Sequence, residues 1–312
     1  MKISIAFLIV SCFGLSCFAA CPSADATGDC FVNIADLADL ASRWLIDGTV
    51  TELTALASQW LTEGIPEIDD MVLVFVSDPG VSGGESFNGF MSTYETTNAQ
   101  YCQFLNAALA SGDITVTNRF VYGASGSNSG ADFSGQVYYN LVDAGYNYDG
   151  AKTGGASRIY WTGRLFWVEL GFENHPVTQV SWYGATAFCN YYELRLPTEG
   201  EWRAVADYNG TFTYGCGESI TNSMANYSNS IHPDGTTPVG AFGMYGYGMA
   251  DMTGNVWEWT SSCYYFDCSY GSHCICGGSW QDGNCYNSIS ARWGGSTSPN
   301  TTYTSVGFRV CR

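Results

Sequence analysis

Apolar residues recur at helical spacing in Leu37-Ala38-Asp39-Leu40-Ala41-Ser42-Arg43-Trp44-Leu45, and the pattern returns sixteen residues later in Leu53-Thr54-Ala55-Leu56-Ala57-Ser58-Gln59-Trp60-Leu61. Each copy places two leucines and a tryptophan on one face, so the duplication predicts a small hairpin of antiparallel amphipathic helices within residues 21–62. Residues 63–70, which contain Pro66 and alternate with acids, read as a linker. From Met71 the period changes. Met71 to Ser77 alternates as a strand does, Gly80 to Gly89 turns, and Phe90 to Thr96 reads as a second strand. Thr97-Asn98-Ala99-Gln100 is a capping box that opens a helix to about Leu109; a second helix starts at Ser181 and runs through Trp182, Ala185, Phe188 and Cys189. A third begins at Thr198-Glu199-Gly200-Glu201 and turns Trp202 and Val205 inward. Elsewhere the long periodic runs stop, and 37 glycines punctuate aromatic-rich loops, which argues against a barrel or a doubly wound sheet.

Composition narrows the classes. With 312 residues, 46% hydrophobic and 15% aromatic, the chain can bury a substantial core and is not disordered. Lys and Arg total 11 against 29 Asp and Glu, and a formal charge of −18 repels phosphate backbones and anionic lipid, so nucleic acid is not an expected partner. The beginning reads Lys2, an apolar run from Ile3 through Leu15, then Ala19-Ala20-Cys21, the pattern of a secretory signal over residues 1–20. That run is too short to span a membrane comfortably, so a secreted or cell-surface chain without a transmembrane segment is expected. Cleavage after Ala19 or Ala20 fits; Phe18-Ala19-Ala20-Cys21 also permits lipid attachment at Cys21. Of 13 cysteines two fall in the leader, and the remaining eleven meet an oxidising compartment where disulfides are the default. Cys263, Cys268, Cys274 and Cys276 form a local cluster that could hold zinc, but uneven spacing in an exported chain favours disulfides.

Asp25-Ala26-Thr27-Gly28-Asp29-Cys30-Phe31-Val32-Asn33-Ile34-Ala35-Asp36 precedes the first repeat with oxygen side chains at the spacing of a calcium loop. Asp25, Thr27, Asp29, Asn33 and Asp36 are the candidate ligands, with the carbonyl of Phe31 between them. The loop and its helix resemble half of a dockerin module, which implies a docking partner on the faces around Trp44 and Trp60. Cys30 stands where glycine ordinarily makes the turn. The second copy has only Asp47 to Glu52 before it, so at most one ion is expected.

The C-terminal blocks are more specific. Gly248-Met249-Ala250-Asp251-Met252-Thr253-Gly254-Asn255-Val256-Trp257-Glu258-Trp259-Thr260, Gly277-Gly278-Ser279-Trp280 and Val306-Gly307-Phe308-Arg309 follow Arg195-Leu196-Pro197-Thr198-Glu199-Gly200-Glu201-Trp202. Tyr94 to Asn98, His175-Pro176-Val177 and Val180-Ser181-Trp182 add to them. Together they resemble the formylglycine-generating enzyme (sulfatase-modifying factor) family over residues 71–312. The resemblance implies an irregular, loop-rich α+β fold of the formylglycine-generating-enzyme and C-type-lectin-like kind. Arg195 and Glu201 are expected as buried ion-pair formers, and the tryptophans as core. It also implies two structural Ca²⁺ sites: Asn226, Tyr227, Asp234 and Thr236 for the first, and Asp251, Gly254, Val256 and Glu258 for the second. It further implies a disulfide from Cys189 to Cys311.

The family's activity is oxidation of a cysteine in a sulfatase by two cysteines that bind copper(I) after the Gly-Gly-Ser block. Here the first position is Asp282 and the nearby thiol is Cys285. Copper(I) requires soft sulfur, so the substitution counts against copper. Cys285 is the candidate reactive thiol, with Ser279 and Trp257 lining its pocket; a disulfide at Cys285 is the plainer alternative. With three histidines scattered along the chain, a mononuclear iron centre is not expected. Two functions remain: an exported oxidase acting on a sulfatase-like client, and a non-catalytic, calcium-stiffened module. The latter would hold a glycan or protein on the aromatic surface around Trp280 to Trp293.

Overall fold

Three N-caps organise the chain after residue 96. The computed structural model describes residues 68–80, 85–126, 133–142, 157–228, 235–265, 272–293 and 298–312. The leader, the helical hairpin with its calcium-loop ligands, and Asp234 lie outside the described residues. The Thr97 hydroxyl accepts from the Gln100 amide while the Gln100 side chain accepts from the Thr97 amide, and this reciprocal box opens α1, Asn98–Ser111. Gly112, at φ 80°, closes it in the left-handed conformation that glycine tolerates. Ser181 caps α2, Trp182–Tyr191, and a second box between Thr198 and Glu201 opens α3, Glu199–Ala206. All three helix starts follow from the sequence pattern.

The first hairpin is shifted from its expected position. β1, Leu73–Asp78, pairs antiparallel with β2, Phe87–Ser92, and the second strand ends four residues before Thr96. The reason is competition for the backbone. The Thr93 amide still donates to Val72, the next in-register pair of the hairpin, but Thr96 donates to Phe308 and Val177 donates to Thr96, so the stretch beyond Thr93 joins distant segments instead of prolonging the hairpin. β3 (Ile114–Val116), β4 (Phe120–Gly123) and β5 (Val137–Asn140) form a three-stranded sheet, and β6 (Ile159–Trp161) pairs with β7 (Phe166–Val168). The site is carried by a four-stranded sheet. In it β8 (Trp257–Cys263) is flanked by antiparallel β9 (His273–Cys276) and by parallel β11 (Val306–Gly307), and β10 (Arg292–Trp293) lies outside β9. The described residues form a loop-rich α+β fold, and none of their helices is long and apolar enough to cross a membrane.

Its two larger apolar clusters hold the helices against the sheets. In the first, Tyr101 and Phe104 of α1 meet Phe188 of α2 and Phe308, with ring centroids 5.3–6.1 Å apart in the Phe104–Phe188, Tyr101–Phe188, Tyr101–Phe308 and Phe188–Phe308 pairs. The second gathers Val76, Phe87 and Met91 around Trp202 and Val205 of α3. Trp202, Trp257, Trp259 and Trp280 are buried, as expected. Arg195 and Glu201 do pair, at 2.6 Å, but the Arg195 side chain is 47% exposed, so this is a surface pair and the expectation of burial is corrected. The buried pair lies elsewhere. Arg309 donates through Nε and Nη2 to the two Glu258 oxygens at 2.7 Å each, with both side chains fully shielded from solvent.

Cys189 and Cys311 stand as two buried thiols in the structure. Backbone bonds bring their segments together: Leu194 donates to Cys189 at 2.8 Å, and Arg195 exchanges bonds with Cys311 at 2.9 and 2.8 Å. Each sulfur packs as a small apolar group in a different cluster, Cys189 in the first and Cys311 in the second. Burial pushes both thiols up, Cys311 to about 12.

Removing one partner of a buried ion pair leaves an uncompensated charge. Arg309→Met is therefore expected to lower the unfolding free energy by about 3–5 kcal/mol, measured by denaturant titration. Glu201→Gln at the surface pair should cost less than about 1 kcal/mol plus any loss of its cap.

Candidate functional site

Strand β9 runs directly into Gly277 and Gly278, both at positive φ (100° and 75°). A Cβ on Gly278 would lie 2.3 Å from Asn287 Oδ1, so a side chain there could not be accommodated. The turn carries Ser279 and Trp280 across the beginning of β8 and delivers Asp282 to Trp257. One carboxylate oxygen of Asp282 accepts from the Trp257 indole N–H at 2.8 Å and from the Ser279 hydroxyl. The Asp282 backbone is held as well: its amide donates to Ser279 at 3.0 Å, and its carbonyl accepts from the Ser228 amide at 3.0 Å and the Asn287 side chain at 2.9 Å. Asp282 is thus a fixed hydrogen-bond acceptor. A single 3₁₀ turn, Asn284–Asn287, follows and leaves Cys285 as an exposed free thiol, so a disulfide at this position is not seen.

Ser279 and Trp257 are joined by Asp282, whose role the sequence did not disclose. Cys285 stands on the solvent side of the turn. One exposed thiol and a carboxylate already engaged by two donors do not make the pair of soft thiolates that copper(I) needs; the residues present do not fit that ion. What they offer is a surface. Trp293 of β10 is 42% exposed, its ring 6.2 Å from buried Trp257 and 6.0 Å from Tyr303. Beside them the Gln281 amide donates to the Ser305 hydroxyl at 2.8 Å. The Trp280 indole N–H is buried there without an acceptor.

Behind this surface lies a buried polar lattice. Glu95 accepts from the Asn255 side chain at 2.6 Å and the Val256 amide at 3.1 Å, and Asn255 Oδ1 accepts from the Thr237 amide at 3.0 Å. Asn255 and Glu95 were not singled out from the sequence; they lay inside its motifs, and only the fold shows them meeting. Burial, then the charges of Asp251 and Glu258, hold the Glu95 carboxyl well above the usual range. Burial likewise pushes Asp251 up to about 6.

The implied calcium ligands fare unequally. Glu258 directs both oxygens to Arg309 and one also to the Trp202 indole N–H at 2.7 Å, so it is fully engaged without an ion. Asp251 accepts from the Gly240 amide at 2.6 Å. Gly254, at φ 82°, passes so close to Asn226 that a Cβ would sit 2.4 Å from its carbonyl oxygen. A divalent ion at this second set would have to displace Glu258 from Arg309, and the set does not fit calcium as it stands. Of the first set, the described members Asn226, Tyr227 and Thr236 are buried, Asn226 donates to the Gly235 carbonyl at 2.9 Å, and the Thr236 hydroxyl contacts His175 Nδ1 at 2.9 Å. That arrangement is compatible with an oxygen-lined site.

Residues 85–312 match the family model described as the sulfatase-modifying factor enzyme 1-like domain. The chain belongs to this family. Among curated relatives, it is 41% identical over 113 residues to the serine/threonine-protein kinase pkn1 of Chlamydia caviae, a match covering 36% of this chain and 18% of that protein. It is 40% identical over 103 residues to the formylglycine-generating enzyme of Mycobacterium tuberculosis, covering 29% and 34% of the two chains. The matches thus span only about a fifth to a third of these relatives' length. Among solved structures, the crystal structure of CarF aligns with a TM-score of 0.51 and 20% identity over 80% of this chain and 98% of that one, which is a likeness of fold. The sulfatase-modifying factor domain therefore occurs in proteins bearing different names.

Asp251 gives a pH prediction within this domain. The unfolded carboxyl releases its proton near 3.8 and the folded one near 6, so between these values the native state holds the extra proton and stability falls as pH rises. Asp251→Asn should flatten that decline. Chemical denaturation of both proteins across the window checks it, and parallel curves would contradict it.

Proposed function

We propose that this sulfatase-modifying factor domain is a non-catalytic binding module that holds a neutral glycan on the surface formed by Trp293, Tyr303 and Gln281. The observation that carries this reading is Asp282: where the family's oxidases place a copper-binding thiolate, this chain has a carboxylate tied to Trp257 and Ser279. The aromatic faces favour stacking on sugar rings, and Gln281 and Ser305 supply hydrogen-bonding groups at their edge. A net charge of −18 disfavours sulfated or otherwise anionic ligands. The leader pattern supports export, the residues of the first implied site support a stiffening Ca²⁺ ion, and the N-terminal repeat supports docking to another exported protein; these belong to the same reading.

Titration with neutral and sulfated oligosaccharides, followed by tryptophan fluorescence, tests the proposal. Saturable binding of a neutral ligand is expected, with loss of at least about tenfold in affinity for Trp293→Ala, since one aromatic contact is worth roughly 1–3 kcal/mol when stacked on a planar ligand. Preference for the sulfated set, or indifference to Trp293→Ala, would refute it. A second reading rests on Cys285 being free and exposed: a thiol-dependent oxidase acting on a sulfatase-like client. Incubation with copper(I), oxygen and a cysteine peptide should give no aldehyde under the binding reading, and an aldehyde abolished by Cys285→Ser under the oxidase reading.

A further inference from the structure

Cys274 and Cys276 are two residues apart on β9, so their side chains project to one face of the strand, and both are fully buried thiols. Glu199, the first residue of α3, closes on them from the adjacent layer. The two sulfurs and a Glu199 carboxylate oxygen all lie within 4.8 Å of one another, a grouping that could hold a metal ion. Glu199 Oε1 is 2.7 Å from Arg203 yet makes no aligned hydrogen bond, and Oε2 is 2.9 Å from Arg292, the cross-strand partner of Cys276.

Geometry separates the alternatives. An extended strand places residues i and i+2 about 6.7 Å apart at Cα, at the upper edge of the disulfide range. A metal with bonds of about 2.3 Å to sulfur bridges two sulfurs up to about 4.6 Å apart, and the ligand atoms here all lie within 4.8 Å of one another. Charge then selects the ion. Two thiolates and Glu199 stand against Arg203 and Arg292, so one further positive charge brings the buried group to neutrality and a divalent ion overshoots. Thiolate ligands then favour a soft monovalent ion.

We propose that Glu199, Cys274 and Cys276 bind one soft monovalent metal ion, copper(I) or silver(I), with both thiolates as ligands and the carboxylate at the rim. Binding forms two metal–sulfur bonds and breaks both S–H bonds, releasing two protons to solvent; no electron is transferred. The site is separate from Asp282 and Cys285, beyond the Gly277–Gly278 turn, and does not depend on the glycan reading. Occupancy clamps β9 to the start of α3.

The test is titration of the full chain, in a Cys285→Ser background, with silver(I), copper(I) under reductant, and Zn²⁺, followed by thiolate-to-metal ultraviolet absorption. One monovalent ion should bind above the level remaining in Cys274→Ser or Cys276→Ser, Glu199→Gln should weaken it about tenfold, and Zn²⁺ should bind more weakly. X-ray absorption of the loaded Cys285→Ser protein should show two sulfur ligands, which keeps the proposal testable if the serine variants do not fold. Undiminished uptake in the serine variants, stronger Zn²⁺ binding, one or no sulfur ligand, or recovery of Cys274 and Cys276 as a disulfide would each overturn it.

Discussion

The Arg309 guanidinium is the point on which the domain closes. It is fully buried and satisfied: Nε and Nη2 reach Glu258, Nη1 reaches the carbonyls of Ser92 and Thr93 at 3.1 Å, and Nη2 also reaches Ala250 at 2.9 Å. One side chain near the end of the chain thereby fixes the exit of β2, the loop before β8 and β8 itself. An arginine can do this because its planar fork carries five donors in fixed directions, whereas a lysine would leave carbonyls unpaired in the interior. The cost of burying it is offset only with every partner in place, which makes the arrangement specific rather than merely stable.

Much of the site's rigidity descends from that frame. With β8 fixed, Asn255 and Val256 meet Glu95, and Trp257 holds its indole at the start of β8. The Gly277–Gly278 turn then brings Asp282 to the same indole. Because two donors converge on one oxygen of Asp282, the segment leading to Cys285 is held by a carboxylate where a thiolate pair would need freedom to approach a metal. The same frame explains why Glu258 is unsuited to an ion: its oxygens complete the Arg309 fork.

Local signals in the sequence survived folding where they were self-contained. The capping boxes at Thr97 and Thr198 need only four residues each, and both appear as written. β2 ends short of Thr96 because Thr96 bonds to Phe308, a partner that no local pattern announces. The Arg195–Glu201 pair was foreseen, but its exposure was not, since burial depends on what packs over it. At the site, Ser279 and Trp257 were legible from their motifs. The Asp282 bridge, the Glu95–Asn255 contact and the Glu199–Cys274–Cys276 grouping join residues far apart in sequence, and they emerge only when the sheet is assembled.

The most direct measurement is hydrogen exchange at the Trp257 indole, resolved by NMR and compared with Trp293 in the same protein. The account predicts a slowly exchanging Trp257 N–H that becomes fast in Asp282→Ala while Trp293 exchanges rapidly in both. Rapid exchange at Trp257 in the unaltered protein would mean that Asp282 is not the fixed acceptor on which this reading rests.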